Sequence, residues 1–212
     1  TINHHVYIIR AFFKFLLEFD YLEGDVSSVL KTKGKKQVEV DILDEETFQK
    51  ICSFNPETIL DYRDLAILHL MYNTGAAPGE ICNLKYEDYN SLKKEITYSR
   101  DTGVRTILLD SKTAGILDRY IEKKKIIPSG IYIFESRLNN PIQNRALFNL
   151  VKKRVNDAGI KKLVSSMMFR YSFADRKFKE GLDIREIQRL LGHSHPYLTQ
   201  RFMFLISESK KD

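Results

Sequence analysis

The sequence predicts a mainly α protein with one small antiparallel β-sheet, and three observations predict it. Apolar residues recur at helical spacing through most of the chain, as in VYIIRAFFKFLLEFDYL (6–22), where Ile9, Phe12, Phe13, Leu16 and Leu17 recur at helical intervals. One stretch, EITYSRDTGVRTILL (95–109), has two β-type runs around Asp101-Thr102-Gly103, a composition suited to a hairpin turn. The strands are too few for the helices to be crossovers of a parallel sheet.

Each element follows in order. After the first helix, Val29 and Leu30 follow a short loop, and KTKGKKQ (31–37) reads as a polar, glycine-bearing linker. The expected organisation is therefore a helical segment over 1–32, a linker over 33–42 and a main domain over 43–212. DEETFQKIC opens a helix with Asp44 as N-cap and Glu45 and Glu46 at the positive end of its dipole. DYRDLAILHLMYN (61–73) is a second helix with Leu65, Leu68, Met71 and Tyr72 as its buried stripe, ended at Thr74-Gly75. Pro78 suits the first turn of a short helix, PGEICNL. Beyond the hairpin come a helix over 110–125, a short strand or extended segment within SGIYIFES (129–136), and a helix over 143–160 stopped by Gly159. Helices near 168–180, 183–191 and 196–206 follow, punctuated by Gly181 and Gly192.

Composition narrows the function classes. The 212 residues suffice for one core and a fragment of a second domain. With 43% hydrophobic and 29% charged residues, the profile is that of a soluble globular protein. No apolar run approaches the roughly 18 residues of a membrane helix. The opening TINHHVYIIRAFF has no cationic start or cleavage site; it reads as the interior of a helix, so the chain is expected to begin inside a domain. Cys52 and Cys82, thirty apart, make neither a disulfide framework nor a zinc pattern, and a reducing, cytoplasmic compartment is the expectation. The net charge of +6 is carried in runs: KTKGKK (31–36), KKK (123–125), KKR (152–154), KK (161–162) and RKFK (176–179), with acidic DILDEE (41–46) among them. Any one run reads equally well as a solvated helix face. Together they favour nucleic acid over membrane, because no helix is strongly basic on one face and apolar on the other.

Three stretches then fall in a recognisable order: NTGAAPGEICNLKYEDY (73–89), the hairpin 95–109, and MMFRYSFADRKFKEGLDIREIQRLLGHSHPYLTQRF (167–202). Together they resemble the catalytic domain of the tyrosine recombinases, the phage-integrase and Xer-like family, over about residues 40–206. The segment before the linker resembles the last helix of that family's core-binding domain. The resemblance implies the tyrosine-recombinase catalytic fold, a C-shaped two-domain clamp around double-stranded DNA with KTKGKK crossing between the domains, and nucleoid association. It also implies a phosphoryl transfer in which a tyrosine oxygen attacks a DNA phosphate, forming a phosphotyrosyl link and freeing a 5′-hydroxyl, without metal or other cofactor. Such a step needs cations around the non-bridging oxygens, a proton donor for the leaving oxygen, and the nucleophile.

Carried over residue by residue, the family pattern is incomplete here. Thr74, Gly75 and Glu80 frame the first arginine position, which holds Ala77. The hairpin lysine position holds Arg100, whose pKa is too high for a general acid. The first histidine position holds Met167; the second arginine is Arg170; the late histidine is His193; and the nucleophile position, nine residues later, holds Phe202. Without an oxygen at 202 no phosphotyrosyl bond forms there. Loss of a phosphate clamp at 77 would slow a reaction by roughly 10²–10³, but that matters less than a nucleophile that is absent. Lys31, Lys33, Lys35 and Lys36 of the linker, with Arg105 of the hairpin, are the candidate DNA contacts.

Alternatives accompany each reading. Tyr171 and Tyr197 are the nearby hydroxyls, and tyrosines in such places are more often packing residues. Phe202, beside Phe204 and Leu205, also suits a core position. His193 and His195 form an H-x-H without a third ligand nearby, which argues against a metal. Arg170, taken alone, would be a surface arginine paired with an acid such as Asp175. Glu80, deprived of its arginine, is expected to end a helix or to bond backbone. The departures at 77 and 202 suit either natural loss of chemistry or laboratory substitution, although Arg100 and Met167 favour the former. The leading expectation is a DNA-binding integrase relative unable to cleave, which occupies recombination sites, partners an active recombinase or a second copy of itself on DNA, or regulates. Against it stand an active site-specific recombinase and a protein-interaction module that has left DNA. Neither a membrane nor a small-molecule substrate is expected, and FLISESKKD (204–212) suits at most weak exchange with a neighbouring protomer.

Overall fold

A computed structural model describes residues 2–22, 24, 26–32, 41–100, 103–124, 130–136 and 138–208. The chain divides into two compact units, Thr1–Val38 and Glu39–Asp212. In the first, helix α1 (Ile2–Glu18) is followed by a 3₁₀ turn at Val26–Val29. Arg10 Nη2 donates to the carbonyl of Leu30 at 2.7 Å, tying the helix to the segment after that turn. The helix includes the opening residues, as expected, and ends at Glu18, short of the end of the apolar run 6–22, where Asp20, at φ 58°, departs from the helical backbone. Phe12 and Phe15 stand exposed on it, and Phe19 stands exposed just beyond it.

The second unit is mainly helical: α2 (Glu45–Cys52), α3 (Ile59–Thr74), α4 (Pro78–Cys82), α5 (Ser111–Lys124), α6 (Asn144–Asp157), α7 (Ser166–Lys179), α8 (Ile184–Leu191) and α9 (Pro196–Glu208). One antiparallel sheet, β1 (Tyr89–Asn90), β2 (Glu95–Arg100) and β3 (Gly103–Leu108), lies between α4 and α5. The register sets Ile96 opposite Ile107, Tyr98 opposite Arg105, and Arg100 opposite Gly103. The turn residues Asp101 and Thr102 lie outside the described residues. The two-residue β1 escapes a sequence reading because two residues carry no periodicity. Within 130–136 the backbone makes isolated bridges, Lys85 to Tyr132 and Glu135 to Pro141, so it is extended without being a strand of the sheet.

Local chemistry fixes the helix ends. Asp44 caps α2 by accepting from Thr47 N at 2.7 Å. Thr58 and Asp61 form a capping box at the start of α3, as Asp183 and Glu186 do for α8. Gly75 and Gly192 close α3 and α8 in the left-handed conformation, at φ 60° and 64°.

Helix α3 is the centre of the domain. It packs against both α5 and α7, so its whole middle is buried, from Ala66 to Tyr72, rather than one stripe. Leu65, expected inside, is only half-buried. Phe48 stacks on Tyr72 with ring centroids 3.8 Å apart, and Phe169 closes on both edge-on. A smaller cluster of Phe173, Ala174, Ile187, Leu191, Phe202 and Ile206 joins α7, α8 and α9.

Part of the basic sequence is internal. Arg154, from the run KKR, is buried, donates to Asp64 at 3.0 Å and pairs with Asp61, tying α6 to α3. Lys124, from KKK, is buried against Glu135 at 3.0 Å. Arg176 lies 3.7 Å over the Tyr72 ring. These three cations hold the fold rather than form a solvated face.

Gly75 sits where a side chain does not fit: a Cβ there would lie 2.5 Å from Cδ1 of Phe173. Gly75→Ala should cost about 2–4 kcal/mol, combining left-handed strain with overpacking. Urea denaturation measures this; a loss within about 0.5 kcal/mol, as at an ordinary surface position, would contradict the packing described.

Candidate functional site

The site is organised around one buried carboxylate. Strand β2 turns Ile96 and Tyr98 inward, and period-two alternation puts Arg100 on the same face. Strand β3 turns Arg105 and Ile107 inward by the same rule. Both arginines thus reach Glu80 on α4. Arg105 grips it with two nitrogens, Nε to Oε1 at 3.0 Å and Nη2 to Oε2 at 2.9 Å. Arg100 Nε meets Oε1 at 3.0 Å. Arg170 Nη1 stands 3.7 Å from Oε2. Oε2 also accepts from the amide of Ala77 at 2.7 Å.

Helix ends hold these cations in place. Arg105 donates to the carbonyl of Thr74 at 3.2 Å and to that of Leu190. Arg170 donates to the carbonyl of Gly75 at 2.6 Å and to that of Leu191. The last carbonyls of α8 are the negative end of its dipole, so two guanidinium groups are favoured there. Gly192 makes room for the approach, since a Cβ would sit 3.0 Å from Cδ of Arg105. Beside them, His193 Nδ1 bonds Oγ1 of the buried Thr199 at 2.9 Å. An open pocket of about 330 Å³ lies between β3 and the end of α8, lined by Arg105, Thr106, Gln188, Arg189, Gly192 and His193.

Electrostatics follow from this crowding. Burial would raise the Glu80 carboxyl, but the Arg105 bonds and charge, the Ala77 amide and Arg100 outweigh it, and Glu80 titrates below the usual range. Burial, then the charge of Arg105, draws Arg170 down to about 10, against the pull of Glu80; it stays charged at neutral pH. Burial and the three arginines push His193 down to about 4, so its imidazole is neutral at pH 7.

The structure brings Arg100, Arg105, Arg170 and His193 together, and places the remaining positions around them. Ala77 is half-buried and lies at the N-cap of α4. Met167 is 40% exposed. Phe202 is 8% exposed and packs its ring 4.1 Å from Tyr171 and 5.4 Å, edge-on, from His193. Tyr197 is exposed, while burial, opposed by Arg201, raises Tyr171 above an ordinary phenol. Arg170 is interior rather than a surface partner of Asp175, which pairs with Lys179 at 3.0 Å. Arg105, expected as a DNA contact, is buried against Glu80 because its strand position faces inward, and it also lines the open pocket. Glu80 does bond backbone as expected, but its arginine partners went unforeseen; the parity of β2 and β3 was the available signal. Lys31 is exposed; Lys33, Lys35 and Lys36 lie outside the described residues. Among the described residues no group of three or more His, Cys, Asp or Glu is arranged to hold a metal ion, and no helix is long and apolar enough to cross a membrane.

Known proteins share this fold and frame. The phage integrase family matches residues 41–205, and the chain belongs to that family. It is 30% identical to a tyrosine recombinase of Pseudothermotoga lettingae, over 96% of this chain and 70% of the relative. It is also 30% identical to tyrosine recombinase XerA of Pyrococcus furiosus, over 100% of this chain and 72% of the relative. Among solved structures, the fold is similar to XerA recombinase, with TM-score 0.70 and 22% identity over 97% of this chain and 73% of that one. It is likewise similar to the Tn1549 transposon integrase in complex with transposon right end DNA, with TM-score 0.77 and 16% identity over 95% and 73%.

Two outcomes test this geometry. Glu80→Ala strands buried guanidinium charge and should cost about 3–5 kcal/mol in chemical denaturation; a loss under about 1 kcal/mol, the range of an exposed pair, would contradict it. His193 should titrate near pH 4 by NMR, against about 6.5 in the unfolded chain. The unfolded chain then binds the proton first, so this histidine's contribution to stability is intact above pH 6.5 and is lost as pH falls toward 4. A midpoint at 6.5 would contradict the buried, arginine-flanked imidazole.

Proposed function

We propose that this protein binds double-stranded DNA as a member of the integrase family and does not cleave it. The observation that carries the reading is the charge of the site: three guanidinium groups converge on a single carboxylate. The excess positive charge, beside a neutral histidine, suits a phosphodiester. At the nucleophile position Phe202 offers a ring and no oxygen, and it is packed as a core residue between Tyr171 and His193. Ala77 and Met167 further remove a clamp and an acid–base group. The nucleophile outranks both, because they would only slow a step that has no attacking atom.

The relatives and structural neighbours support DNA as the partner, since several are described as recombinases and some as bound to DNA. We assign residues 1–32 to the end of a DNA-embracing helical domain, 33–42 to a linker crossing the duplex, and 43–212 to the catalytic-type domain. Lys31, Lys33, Lys35 and Lys36 would then meet backbone phosphates. The role is occupancy of recombination sites, alone or beside an active recombinase, and the protein acts where DNA is, in the nucleoid.

A duplex carrying a nick close to the bound phosphate traps any covalent intermediate. Incubated with it, the protein should retard the duplex on a native gel and leave no protein–DNA adduct on a denaturing gel. An adduct would overturn the inactive reading. Absence of a native-gel shift at low salt would overturn DNA binding and favour a protein-interaction module.

A further inference from the structure

Arg100 stands where the phosphate site lost a residue. Position 77 holds alanine, and its backbone amide lies 2.7 Å from one oxygen of Glu80. Arg100 reaches the other oxygen at 3.0 Å, so the hairpin end and position 77 converge on one carboxylate. Two features of the sheet allow this reach. Arg100 follows Ile96 and Tyr98 on the inward face of β2, and its partner across the strands is Gly103, which has no side chain to obstruct it. Ala77 itself presents only its backbone amide to this carboxylate.

The other two cations are held more tightly. Arg105 is committed to Glu80 and to the carbonyls of Thr74 and Leu190, and Arg170 to those of Gly75 and Leu191. Arg100 makes its ion pair through Nε, the inner nitrogen, and a third of its side chain is open. A guanidinium anchored at Nε can offer its terminal nitrogens as a fork to a phosphate. It cannot release a proton to a leaving oxygen, so an arginine at the hairpin suits binding rather than scission.

We propose that Arg100 supplies from the hairpin the phosphate-binding guanidinium that position 77 lacks, and holds one backbone phosphate of bound duplex through its terminal nitrogens. This rests on the DNA-binding reading above.

The test is fluorescence anisotropy of a labelled random-sequence duplex across a salt series, with wild type, Arg100→Gln, Arg100→Lys and the double substitution Ala77→Arg/Arg100→Gln. Arg100→Gln should weaken binding roughly tenfold or more at low salt, the range of a charge-assisted bond, and make the log–log salt slope shallower by about 0.9, one phosphate. The double substitution should restore that slope. Should Arg100→Gln fail to fold by circular dichroism, Arg100→Lys carries the comparison, with the slope kept and affinity lowered several-fold. Wild-type affinity and slope in Arg100→Gln, no recovery in the double substitution, or wild-type affinity in Arg100→Lys would each overturn the proposal while DNA binding itself stands. Absence of binding by wild type would overturn the underlying reading as well.

Discussion

The buried carboxylate of Glu80 is the constraint on which the site depends. Its side chain is 1% exposed, and a charge so placed is unfavourable unless paired. Arg105 pairs it with two nitrogens, and that same arginine reaches the last turns of α3 and α8. One ion pair therefore sets the relation of the sheet to two helices. Arg170 adds a second link, from α7 to the carbonyls of Gly75 and Leu191. The glycines that end α3 and α8 are part of the same arrangement, because Gly75 admits Phe173 and Gly192 admits Arg105.

This dependence explains how the frame of the site stands independently of the residues at 77, 167 and 202. The residues that hold the frame are not those that would do the chemistry. Glu80, Arg105, Thr199 and the two glycines fix geometry through buried bonds, whereas positions 77, 167 and 202 contribute little to that network. Ala77 gives only its amide to Glu80, and Met167 is 40% exposed. Phe202 contributes apolar packing against Tyr171. The residues present at these positions leave the fold and its cationic site standing.

Much of this was legible in the sequence. Asp44, Gly75, Pro78 and Gly192 mark helix ends by their own backbone and capping chemistry, and the hairpin follows from alternation around a turn. What escaped depended on contacts between distant segments. Leu65 looked like part of a buried stripe, but α3 is packed on more than one side, so its spacing does not single out a face. Lys124 and Arg154 looked like members of basic surface runs, and only their partners Glu135 and Asp64 make them internal. Arg105 shows the same gap: its identity suggested a phosphate, while its parity with Ile107 pointed inward. The pairing with Glu80 joins residues 25 apart in the chain, and nothing local announces it.

The central claim is that a charged, intact phosphate cradle survives beside a position that has no nucleophile. A crystal structure of the protein on an uninterrupted duplex addresses it most directly. The account predicts one backbone phosphate seated against Arg100 near His193, both DNA strands unbroken, and the Phe202 ring still packed on Tyr171. A severed strand esterified to a side chain, or a duplex lying on another face with the cradle vacant, would contradict it.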